Sequence, residues 1–173
     1  CDIRYVLLGT NIEPVCVSVA MDKPVKSTLL TLLMSGSAPD VGSQLQSLLQ
    51  SDSEISVAHD GLRVGLTTEI IYRSVSFVVS IGRQSQSLSH LKNIFCNLEP
   101  ALIQCGVDIS LAEHVAGGER VPAIIQALLG VSQKLGTSLN AVAAVWHPAH
   151  VVSGFGYFSE VVSDYLVGGA FPV

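Results

Sequence analysis

Histidine is the residue type in this chain best suited to proton transfer or metal ligation, and there are five: His59, His90, His114, His147 and His150. Two of them form His147-Pro-Ala-His150, an H-x-x-H spacing. Zinc catalysis needs three protein ligands on a rigid frame with a fourth position open. Pro148 ends the strand between the two histidines, so their rings are expected to diverge. Glu113-His114 lacks the second histidine of an HExxH helix, and no Cys/His cluster completes a site. The expectation is therefore that the chain holds no metal. Nucleophilic serine chemistry needs a Gly-x-Ser-x-Gly elbow between strand and helix. Ser153-Gly154 has the right surroundings, but Val151 stands where the first glycine belongs, and Ser35-Gly36-Ser37 follows a helical run. Neither G-x-G-x-x-G nor a Walker motif is present, so no nucleotide cofactor is expected. Cys16, Cys96 and Cys105 read as buried free thiols, and no catalytic residue is assigned. Glu160 and Asp164, one turn apart on the last helix, read as its solvated edge.

What remains is a candidate pocket rather than a catalytic motif. Trp146, the only tryptophan, stands beside His147 and His150, with Tyr157 shortly after and His59 at the end of an upstream strand. These five residues would form a His and aromatic pocket suited to hydrolysis or to binding a small ligand. The aromatic residues there, with Phe155, Phe158, Tyr165 and Phe171, equally suit core packing or a protein-binding face.

Several elements must position these groups. Ile3–Leu8 and Pro14–Met21 read as strands of a hairpin. Pro24 followed by Leu29, Leu30, Leu32 and Leu33 reads as a helix ending at Gly36. After a break at Ser37–Asp40, Val41, Leu45, Leu48 and Leu49 mark a short helix, and Ser51–Glu54 is a polar loop and the one weak internal boundary. Ile55–His59 and Leu62–Leu66 flank Asp60-Gly61, a strong hairpin signal because both turn residues need positive φ. The β-branched run Ser74–Ile81 should pair beside them. Leu88, Leu91, Phe95, Leu98 and Leu102 predict one helix stripe from Ser85 to Gly106, kinked near Pro100. Val107–Glu119 has no decisive period. Pro122 opens a helix whose face is Ile125, Leu128, Leu129 and Leu135, stopped by Gly136. Ala141–Trp146 reads as a buried strand, and after a linker an aromatic-faced helix ends at Gly168-Gly169.

This order predicts one α+β domain over residues 1–173: a two-layer sandwich with a mixed, mostly antiparallel sheet and helices packed on one face. With 49% hydrophobic residues and only 13% charged, about half the ordinary charged share, the chain has more apolar surface than a core of its size needs. A homo-oligomer or a protein partner is the expected use of the excess. Mean hydropathy is +0.51, yet polar residues interrupt every apolar run, so no membrane span is expected. A net charge of −5 with singly scattered basic residues argues against nucleic acid and anionic membrane surfaces. Unpaired cysteine spacing points to a reducing, cytoplasmic setting. Cys1, where a chain would begin with Met, reads as a trimmed start, with a lipid-modified cysteine as the alternative. On these grounds the expected function is a non-enzymatic interaction or self-associating domain, the alternative being a hydrolase or small-ligand-binding domain that uses the pocket near Trp146.

The last third of the chain also carries a resemblance. An apolar strand ending in Trp146-x-Pro148-Ala149, a short helix bearing Phe158, and the tail Gly168-Gly169-Ala170-Phe171-Pro172 resemble a family of uncharacterised bacterial proteins, with His59 matching a strand-borne histidine of that family. The resemblance implies an α+β fold and supplies no activity, cofactor or catalytic residue.

Overall fold

The computed structural model describes residues 28–58, 67–83, 93–95, 105–113 and 121–170. The first predicted hairpin, the Asp60-Gly61 turn, His59, His90 and His114 lie outside the described residues. Among the described residues eight strands form a single sheet: β1 (Thr28–Met34), β2 (Ile55–Val57), β3 (Thr67–Tyr72), β4 (Val75–Arg83), β5 (Asn93–Phe95), β6 (Val107–Glu113), β7 (Ala143–Trp146) and β8 (Val151–Gly154). Their order across the sheet is β2-β3-β4-β6-β1-β7-β8-β5. Every neighbouring pair is antiparallel except β5 with β8. The helices α1 (Ala38–Ser51), α2 (Pro122–Ser138) and α3 (Phe155–Leu166) pack on one face, as an α+β sandwich requires.

The core explains the layering. Alternate residues of the strands, among them Leu30, Leu32, Ile70, Phe77, Val79, Ile109 and Leu111, meet Leu45 of α1, Leu128 and Leu135 of α2, and Phe158 and Val162 of α3 in one buried cluster. The opposite face carries a smaller cluster of Leu33, Ala143, Val145, Val152 and Cys105.

β1 corrects the expected helix over Leu29–Leu33. It pairs along both edges, with β6 and β7, and is buried on both faces from Leu29 to Met34; a strand covered on both faces reads as a continuous apolar run without a period of two. At Asn93–Phe95, within the expected helical stripe, a strand stands instead, parallel to β8 at the edge of the sheet. α1 begins at Ala38, so the expected break at Ser37–Asp40 is a helix start: Pro39 occupies the first turn, and the Ser37 hydroxyl donates to the Asp40 carboxylate. Val57 pairs with Ile70, because β2 meets β3. β3 has no turn signal of its own, since it meets β4 through Arg73-Ser74, with φ of 48° and 65°, and that turn carries no glycine. α2 runs two residues beyond Gly136, and β8 occupies what reads as a linker after Pro148.

α3 is held in a fixed orientation. Gln133 Nε2 of α2 donates to the backbone oxygen of Ser159 (2.8 Å) and reaches the hydroxyls of Ser159 (3.0 Å) and Ser163 (2.7 Å). At its end, Gly168 (φ 103°) N–H bonds Tyr165 O at 3.0 Å and Gly169 N–H bonds Asp164 O at 2.8 Å. This is a Schellman cap, and it agrees with the double glycine as a stop.

Candidate functional site

Alternation along β7 separates the expected pocket residues. Trp146 lies opposite Leu30 and packs against the main core beneath the helices. The next residue, His147, enters a single 3-10 turn (His147–Ala149) and bonds Thr31 Oγ1 through Nε2 at 2.9 Å. Thr31 lies between Leu30 and Leu32 in β1, so its side chain leaves the sheet on the face away from the helices. Trp146 and His147 thus serve opposite sides of the sheet. His150 is exposed, with φ 54°, and its N–H bonds His147 O at 3.1 Å. Tyr157 stands outward on α3. His59 lies outside the described residues.

The face away from the helices carries a short polar chain. Ser110 Oγ lies 3.1 Å from Thr31 Oγ1, which bonds His147 in turn. Asp108, two residues before Ser110, lies opposite Gly82, and burial pushes its carboxyl above the usual aspartate range, partly offset by a hydrogen bond from the Gly82 backbone. A hydroxyl at 2.9 Å from an imidazole nitrogen has the spacing of a nucleophile and base. Thr31, however, keeps only 7% of its surface exposed. Among the described residues no group of three His, Cys, Asp or Glu side chains is placed to hold a metal.

A second cluster is structural. Lys134 Nζ of α2 bonds Asp52 (2.8 Å) and Glu54 (2.6 Å) in the loop after α1, tying the two helices' ends together. The bond from Lys134 holds the Asp52 carboxyl below its ordinary value, and the two carboxylates hold the Lys134 ammonium above its own.

The outer side of α3 is different. Tyr157, Glu160, Val161, Asp164 and Val167 follow three- and four-residue steps away from the buried stripe of Phe158 and Val162. Tyr157 is 42% exposed and Val167, held at the helix end by the glycine cap, is 87% exposed. Beside them Val161, Asp164, Val167, Gly169 and Ala170 line a cleft of about 410 Å³. Other exposed large apolar residues, Val57, Ile71 and Val121, lie on β2, on β3 and ahead of α2. The sequence offered one signal for this ridge: an aromatic-faced helix whose apolar residues exceed the single stripe a core contact uses.

No family model matches the chain, and no curated protein and no solved structure matches it either.

Proposed function

We propose that this chain is an interaction domain, non-enzymatic, that docks a protein through the outer ridge of α3. The observation that supports this reading is the exposure of Tyr157 and Val167 on a helix held rigidly by Gln133 and a glycine cap, beside an open apolar cleft. Large apolar groups grouped on one preformed surface gain most from burial against a partner, because little ordering cost remains. A cytoplasmic setting accords with the free, buried thiol of Cys105, which burial keeps protonated and inert. No helix among the described residues is long and apolar enough to cross a membrane. The resemblance of the C-terminal motif to an uncharacterised bacterial family is compatible with this reading and adds no chemistry to it.

Panning a random peptide library against the protein and against a Tyr157→Asp, Val167→Asp variant tests the proposal. Peptides should enrich on the wild type and not on the variant. Equal enrichment on both, together with a monomer in sedimentation velocity at every concentration, would remove the ridge as a docking face.

The alternative, a hydrolase using His147, has the Thr31 contact in its favour. The burial of Thr31 favours a structural hydrogen bond instead. Ester hydrolysis lost on His147→Ala would reinstate it.

A further inference from the structure

We propose that the α3 ridge takes a basic, amphipathic segment of another protein and not a second copy of this chain. The inference rests on the ridge being a docking face, and it names the occupant by charge. Glu160 and Asp164 stand one turn apart among the apolar residues of the ridge, and α3 carries no Lys, Arg or His. Neither carboxylate has an ion-pair partner among the described residues, where the close ion pairs are those of Lys134. The ridge therefore joins apolar anchors to uncompensated negative charge.

Three further features point the same way. The C-terminal end of a helix carries partial negative charge, and here it lies beside Val167 and the cleft. The whole chain has a formal charge of −5, which attracts a basic partner and repels a second copy. A symmetric contact of α3 with α3 would bring four carboxylates together around an apolar seam, whereas lysine or arginine side chains would meet each of them.

The geometry also sets the length of the segment. Val167 lies ten positions after Tyr157, and at a helical rise the ridge is about 15 Å long. A partner helix of about three turns covers that distance. One large apolar side chain of the partner would enter the cleft beside Val161 and Val167, with its basic residues flanking it toward Glu160 and Asp164.

The test uses synthetic helical peptides of equal length. One carries leucine at i, i+3, i+4 and i+7 with lysine at its polar positions; the second replaces every lysine with glutamate. Fluorescence anisotropy with the full chain should show the lysine peptide binding at least about tenfold more tightly than the glutamate peptide, with affinity falling as salt rises. Val167→Asp should abolish the binding. Glu160→Lys with Asp164→Lys should reverse the preference, and this surface variant keeps the test independent of any folding defect in the first. Equal affinity for both peptides, or lysine-peptide binding indifferent to Val167→Asp, would overturn the inference. So would a concentration-dependent dimer that Val167→Asp dissolves, although that result would leave the docking face standing. Library peptides that enrich on the ridge without lysine or arginine would likewise overturn only the basic partner.

Discussion

Gly136 provides the sharpest test of the packing that holds α3. It lies in the last part of α2, where an added methyl group would overlap the Phe155 ring; even Cδ2, the farthest of the three nearest atoms, would be only 3.0 Å away. Phe155 is half-buried, packs against the main core, and has its ring centroid 5.8 Å from that of Phe158. In Gly136→Ala the ring must swing out, losing part of that packing at a cost of about 2 kcal/mol. The alanine itself favours helix by about 1 kcal/mol. The net expectation is a loss of about 1 kcal/mol, a fall in Tm of about 3 °C for a chain of this length. Urea unfolding would show a lower midpoint with an unchanged slope. In a Phe155→Ala background the clash is gone, so the same Gly136→Ala change should stabilise by about 1 kcal/mol. That reversal of sign is the decisive feature. If Gly136→Ala stabilises the wild-type protein, or destabilises both backgrounds equally, the contact with Phe155 does not govern this site.

Two further measurements probe the helix layer. Ser132 is fully buried in α2 and its hydroxyl has no hydrogen-bond partner, so Ser132→Ala should be neutral or stabilising by up to about 1 kcal/mol in urea unfolding; a loss beyond that would reveal a bond the structure does not contain. Lys134→Met should cost about 1 kcal/mol at neutral pH, the scale of a partly exposed ion-pair network. Asp52 is depressed below its ordinary 3.8, so its contribution is complete above that pH and fades as pH falls through the folded value. Lys134 is raised above its ordinary 10.5, so its contribution is complete below that pH and fades as pH rises through the folded value. The stability difference between wild type and variant should therefore be flat through neutral pH and shrink at both extremes; a difference that persists unchanged in acid would refute the ion-pair account.

The candidate site was legible in its parts and not in its arrangement. Spacing along the last helix was enough to set Glu160 and Asp164 on its solvated edge, and the double glycine marked its end, whereas Tyr157, expected in the pocket beside Trp146, stands outward with them. Nothing local could show that Val167 would stand almost fully exposed, because that depends on how Gln133 and the packing of Phe158 rotate the helix against α2. Nor could adjacency along the chain show that Trp146 and His147 serve different faces of the sheet. That follows from Trp146 packing into the core beneath the helices while His147 bonds Thr31 on the opposite face.

By itself the sequence determined the α+β class, the helices at Val41–Leu49 and after Pro122, the strands expected at Ser74–Ile81 and Ala141–Trp146, which stand at Val75–Arg83 and Ala143–Trp146, and the glycine stop of α3. These rest on local periodicity, proline and glycine geometry, and β-branched content, which act over a few residues. The tertiary structure alone decided that Leu29–Leu33 is a central strand, that β3 turns to β4 through Arg73-Ser74, and that β2 pairs with β3. A leucine-rich run is compatible with helix or strand, and only its pairing with β6 and β7 in the middle of the sheet selects the extended form. The Arg73-Ser74 turn holds none of the Gly, Asn or Asp residues that favour positive φ, so the pairing of β3 with β4 on either side imposes it.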